Sequence, residues 1–93
     1  MSIGRSGHVL RSDTVHSRQF DDETLLLDLG GGSYYSLNAV GTRMYGELVS
    51  GKTPTEIAAS LAPDYGLDPE PLVTDCVALA DDLLRHGLVK RSV

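Results

Sequence analysis

Apolar and polar residues alternate in the first part of the chain and repeat at helical spacing in the rest. The alternation is cleanest over residues 23–29, where Leu25, Leu27 and Leu29 share one face and Leu26 and Asp28 the other. Gly30-Gly31-Gly32 follows. Glycine accepts positive φ at no steric cost, so this run predicts a hairpin turn. Residues 33–37 form the return strand, with Tyr35 and Leu37 on one face and Tyr34 and Ser36 on the other. Upstream, Val9 and Val15 anchor an earlier strand within residues 8–19, and Phe20-Asp21-Asp22 reads as a turn. Residues 1–7 are small and polar, the composition of a disordered tail.

From Asn38 the period changes. Val40, Met44, Tyr45 and Leu48 recur at helical spacing behind an Asn that suits the N-cap, and Gly51 stops this helix. Thr53, Pro54 and Glu56 then form a capping box with proline at the first helical position. Ile57, Ala58 and Leu61 are the buried stripe, and residues 62–66 end the helix. Asp68 and Pro69 open a third helix that runs to about His86, where Gly87 terminates it. Leu88, Val89 and Lys90 either form a short last strand or pack across the core. Strands therefore precede helices, the segregation of an α+β domain. The expected architecture is winged-helix-like, with a three-stranded antiparallel sheet at the N-terminal end followed by three helices.

The third helix is apolar over more of its circumference than one contact needs. At 100° per residue, Leu72, Val73, Cys76, Val77, Leu79, Ala80, Leu83 and Leu84 fall within about a half-circle. A helix burying one face usually carries a stripe nearer ~100° wide. Either the small domain wraps this helix on two sides, or one flank meets a partner or a groove beside the sheet. Asp75, Asp82 and His86 flank the Leu72–Leu79–Leu83 edge, while Thr74, Asp81 and Arg85 lie opposite.

Composition narrows the function. The chain has 93 residues, enough for one domain with a modest core, and no tryptophan. Its formal net charge of -5 disfavours nucleic acid and anionic lipid as partners. A lone Cys76 excludes an internal disulfide and any cysteine-based metal cluster. The first twelve residues lack the apolar core of a secretory signal, and no run approaches the ~20 apolar residues of a membrane span. A soluble, cytoplasmic domain is expected.

Candidate chemistry fails residue by residue. Cys76 sits on the apolar face of a helix with no cation at helical spacing to activate it. His8, His16 and His86 are scattered, with no i, i+4 pair, so no metal or cofactor is expected. The glycine run joins strand to strand and lacks a GK[ST] tail, so it is no phosphate loop. Asp21–Asp22 and Asp81–Asp82 read as solvated charge at a turn and on a helix. No serine follows Asp or Glu, which removes an acyl-carrier reading. A winged-helix DNA binder would read with its third helix, but Asp68, Glu70, Asp75, Asp81 and Asp82 there oppose phosphate. Tyr34 and Tyr35, adjacent on one strand, offer contact area at low entropic cost. What remains is a binding module rather than an enzyme.

The chain resembles a known family at several places in order. Tyr35, Leu37, Asn38, Gly41, Met44, Tyr45 and Leu48 fit a Y-x-L-N signature followed by a helix with a spaced glycine and an aromatic. Residues 51–57 resemble the entry G-x-T-x-x-E-I into the second helix, and residues 83–89 a closing Leu-Leu-x-x-Gly-Leu-Val. These are features of PqqD-like domains, also called RiPP precursor peptide recognition elements, and the resemblance spans roughly residues 8–91.

The resemblance implies a protein that binds the leader region of a ribosomally made precursor peptide and presents it to a modifying enzyme. The leader would add as a strand to the third strand of the sheet and lie in the groove beside the third helix. The implied strand residues are Ser33, Tyr34, Tyr35, Ser36 and Leu37. The implied helix wall is Leu72, Val73, Asp75, Cys76, Leu79, Asp82 and Leu83. A free-standing acidic chain looks most like the discrete recognition proteins of lasso peptide biosynthesis, whose enzyme partner is a leader peptidase. The alternative is a PQQ-type chaperone serving a radical-SAM enzyme. An open edge strand could also pair with a second copy to give a homodimer.

Overall fold

The computed structural model describes residues 2–92; Met1, the first residue of the expected tail, lies outside them. The elements are β1 (Val9–Arg11), β2 (Val15–Phe20), β3 (Glu23–Asp28), β4 (Ser33–Leu37), α1 (Ala39–Val49), α2 (Pro54–Tyr65), α3 (Pro69–Arg85) and β5 (Val89–Arg91). The fold is α+β, with a three-stranded antiparallel sheet ordered β2-β3-β4 ahead of three helices, as expected.

The single strand expected within residues 8–19 is two strands in two sheets. β1 pairs with β5 and β2 with β3. A turn at Ser12, whose carbonyl accepts from the Val15 amide, redirects the chain between them. Val9 and Val15 are both buried and reach the one core from the two different sheets. The last segment forms a strand over Val89–Arg91, with Leu88 buried just before it: β5 pairs in register with β1, Val9 opposite Arg91 and Arg11 opposite Val89.

Two tight turns set the sheet. Phe20 faces Glu23 across β2 and β3, and Asp21 between them takes φ 58°, a left-handed conformation that Asp tolerates. In the β3–β4 loop Gly32 takes φ 77° and its amide donates to the Asp28 carbonyl at 2.7 Å. The Asp28 carboxylate accepts from Thr14 Oγ1 at 2.6 Å and from the Gly30 amide at 3.1 Å. The Thr14 hydroxyl, chiefly, holds that carboxyl below its ordinary range. Thr24, Leu26 and Leu37 are the buried set across β3 and β4, whereas Leu25 and Leu27 are half-buried and Leu29 is exposed.

The helix ends follow the sequence signals with two differences. Asn38 Oδ1 accepts from the Gly41 amide, and Thr53 and Glu56 form the reciprocal capping box. Asp68 occupies the N-cap position of α3, yet its side chain makes no capping hydrogen bond. α2 continues through Pro63 to Tyr65 and closes at Gly66, which takes φ 63°. Pro63 and Ala59 are both exposed, so water can satisfy the carbonyl that proline leaves unpaired. At the end of α3 the Leu88 amide donates to the Leu83 carbonyl around Gly87 at φ 72°, a Schellman-type closure.

The core lies between the sheet and the helices. Leu26 and Leu37 meet Met44 and Leu48 of α1, Ile57 and Leu61 of α2, and Leu72, Cys76, Ala80 and Leu83 of α3. Residues 2–7, expected as a disordered tail, run along α2 and α3. The Ile3 amide donates to Asp81, and the Arg5 carbonyl accepts from the Thr55 amide and hydroxyl.

Candidate functional site

β4 is an edge of the sheet. It bonds β3 on one side, with Leu26 opposite Tyr35 and Leu25 opposite Ser36. In an antiparallel strand alternate residues turn their N–H and C=O groups to opposite sides. Half of the β4 backbone groups therefore face away from β3. Among the described residues, no hydrogen bond outside that ladder engages the backbone of Ser33–Leu37.

Beside this edge lies an open groove of about 480 Å³. Tyr35, Ser36 and Leu37 of β4 form one wall, and Leu72, Asp75 and Leu79 of α3 the other. Asn38, the α1 residues Val40, Gly41 and Met44, and Leu67 from the α2–α3 turn complete the lining. Gly41 is the third residue of α1, where its amide reaches the Asn38 cap. A Cβ there would sit 3.3 Å from Asn38 Oδ1 and 3.4 Å from Leu37 Cδ2, so glycine keeps the strand-to-helix corner uncrowded.

Six of the twelve residues singled out from sequence thus share one groove. The other six fall elsewhere. Val73, Cys76 and Leu83 are buried in the core. Tyr34 points to the outer face of the sheet and is 71% exposed, and Ser33 begins the strand outside the groove. Asp82 stands beside the groove but is already engaged. Its carboxylate accepts from Tyr35 Oη at 2.5 Å and from Arg85. Its carbonyl accepts from His86 Nδ1 at 2.8 Å, and the His86 ring meets Tyr35 edge-on at 5.5 Å. Burial, then the Asp82 carboxylate, pushes the Tyr35 phenol up to about 12. The Tyr35 hydroxyl, with Arg85 and His86, holds the Asp82 carboxyl below its ordinary range. This cluster ties β4 to α3.

The groove residues that sequence reasoning did not single out are Asn38, Val40, Gly41, Met44 and Leu67. Val40 and Met44 carry the signal of a helix stripe, which reads as core until the sheet edge is known to stop short of it. Leu67 is an apolar residue in a turn, 55% exposed, and its position is the only clue it gives.

The surroundings offer little reactive chemistry. Burial pushes the Cys76 thiol up to about 12, which keeps it protonated and unreactive. Among the described residues no group of three His, Cys, Asp or Glu side chains converges as a metal would require. No helix among them is long and apolar enough to cross a membrane. Asp75 is the one charged residue lining the groove.

This is a small α+β domain whose open sheet edge runs along an apolar groove, an arrangement to which an extended chain can add as a strand. The family model described as Coenzyme PQQ synthesis protein D (PqqD) matches residues 23–89, and the chain belongs to that family. Two solved structures share its shape. One, described as TbiB1 in complex with the TbiA(beta) leader peptide, is 35% identical, with a TM-score of 0.78 over 86% of this chain and 93% of that one. The other, lasso peptide synthetase B1 complexed with the leader peptide, is 24% identical and supports the fold, with a TM-score of 0.80 over 88% of this chain and 96% of that one. No curated protein sequence matches the chain significantly.

Proposed function

We propose that this chain is a non-catalytic, cytoplasmic binding protein that captures the leader segment of a ribosomally made precursor peptide. The leader adds as a strand to β4, and its side chains enter the groove between β4 and α3. The observation that carries this reading is the unpaired β4 edge lying directly along an open apolar groove. Main-chain bonds to the edge give affinity, and the groove gives specificity. Five residues of β4 extend about 17 Å, enough to pair with a comparable length of ligand. The 35%-identical relative was solved with a leader peptide, which supports leader binding by this chain.

The bound leader is handed to a modifying enzyme, a leader peptidase of lasso peptide biosynthesis. The outer face of the sheet supports a presenting role. Phe20 and Tyr34 on that face are 61% and 71% exposed, and Leu25 and Leu27 lie half-buried between their strands. That face stays uncovered when the groove is filled, so leader and enzyme can be held together. The net charge of -5 and the acidic α3 disfavour duplex DNA as the ligand.

The test is a titration of the isotope-labelled protein with a synthetic leader from a precursor gene encoded beside it. Saturable amide shifts over residues 33–37 and at Leu72, Asp75 and Leu79 are expected. Saturable binding with shifts confined to the outer sheet face would place the leader elsewhere. Shifts induced by duplex DNA and not by leader would overturn the reading.

A further inference from the structure

Two carboxylates flank the groove side of α3, and the structure separates their roles. Asp82 is engaged: its carboxylate accepts from Tyr35 Oη and from Arg85. A ligand cation there would compete with the bond that ties β4 to α3. Asp75 lines the groove, is exposed, and makes no ion pair or hydrogen bond among the described residues. The rest of the lining is neutral, and the nearest helical neighbours along the same wall are Leu72 and Leu79. A single free negative charge set in an apolar wall discriminates among ligands by charge.

The spacing adds a register. Asp75 and Leu79 are one turn apart, about 6 Å along the helix axis at ~1.5 Å per residue. Side chains i and i+2 of an extended strand share a face and lie about 6.7 Å apart. The two periods match. One extended ligand lying along the groove can therefore set an apolar side chain against Leu79 and the side chain two residues away against Asp75. Resting on the strand-addition reading above, we propose that Asp75 is the specificity-determining residue of the groove. It selects a leader segment that carries Lys or Arg two residues from the apolar anchor seated on Leu79.

The experiment is selection from a display library of ten-residue randomised segments, run in parallel against the intact wild-type protein, Asp75→Asn and Asp75→Lys. Asp75 has no internal partner, so all three proteins should melt alike. Wild type should enrich Lys or Arg two positions from an apolar residue. Asp75→Asn should lose that enrichment while keeping the apolar position, and Asp75→Lys should favour Asp or Glu there. An individual cationic binder should weaken about two- to five-fold on Asp75→Asn, the range of an exposed ion pair. That loss should shrink as salt rises from 0.05 to 0.5 M on the order of the screening expected. Binders whose charge preference is the same for all three proteins overturn the role of Asp75 and leave strand addition standing. Binders that keep their affinity after backbone N-methylation, or no enriched binders at all, overturn strand addition and this inference with it.

Discussion

Among the described residues, the bond between Tyr35 and Asp82 is the one side-chain hydrogen bond between the edge strand and the helix wall, and its strength can be worked out. Tyr35→Phe removes the hydroxyl that donates to Asp82 at 2.5 Å and keeps the ring that meets His86 edge-on. Hydrogen bonds to charged acceptors contribute ~1.5–3 kcal/mol, but this pair is only half-buried, so about 1 kcal/mol is the better figure. Asp82 keeps Arg85 and water, so no orphaned charge enlarges the loss. In a domain of this size ~1 kcal/mol corresponds to a melting temperature about 4–8 °C lower.

The pH dependence supplies an independent check on the same bond. The Tyr35 phenol is raised from its ordinary 10.0 to about 12 in the folded protein. Its contribution is therefore whole below pH 10 and is lost as pH rises toward 12. The Asp82 carboxyl is lowered from its ordinary 3.8, so its contribution is whole above that value and is lost as pH falls through its folded value. The wild-type minus Tyr35→Phe difference should thus be flat at neutral pH and shrink in acid. Thermal melts across pH, with a Tyr35→Phe and Asp82→Ala double-mutant cycle, measure it. A coupling energy under ~0.3 kcal/mol, or a difference undiminished in acid, would refute the reasoning.

Three further outcomes are expected. Leu79→Lys should abolish leader binding while costing little stability, because its half-buried position lets the ammonium reach water; Leu72→Lys buries a charge at a site only 4% exposed and should cost more than ~3 kcal/mol, which paired denaturation and binding curves will separate. Cys76 should resist iodoacetamide at pH 8 in the native protein and react at once when unfolded, since burial pushes its thiol up to about 12; fast native labelling, followed by mass, would contradict its place in the core. Free protein at high concentration should self-associate through the β4 edge and return to monomer on adding leader; sedimentation showing dimers that survive saturating leader would assign them to another surface.

Much of this fold was legible in the sequence because its signals are local. The Thr53–Glu56 capping box, Gly66, Gly87 and the alternation around Leu26 each depend on a few adjacent residues. What was not legible depends on distant ones. The division of residues 8–19 between two sheets is decided by pairing with β5, some eighty residues away, and nothing near Ser12 announces it. The site divides in the same way. The helical wheel marked α3 as apolar over more of its surface than one contact needs, and Leu72 and Leu79 of that surface line the groove. The wheel could not separate those two from Val73, Cys76 and Leu83, which share the half-circle but face the core. Nor could it tell two flanking aspartates apart, because Asp82 is consumed by Tyr35, a residue 47 positions upstream.

The two edges of the sheet argue that the opening at β4 is retained rather than incidental. An unpaired strand is an aggregation hazard, and proteins blunt it with charge, proline, bulges or a covering element. β2, the far edge, reads VHSRQF and exposes Arg18 and Gln19 beside His16. β4 reads SYYSL, with no charge, no proline and continuous register with β3. The guard is present on one edge and missing from the other, within a single small sheet. The wall facing the unguarded edge is equally unfinished: Leu79 is left half-buried where a larger neighbour from β4 or α1 could have covered it. Closing either gap would stabilise the free domain by burying apolar area. Both gaps lie along the same groove, where one extended chain would fill them together, and a ligand that supplies the missing strand supplies the missing side chains as well.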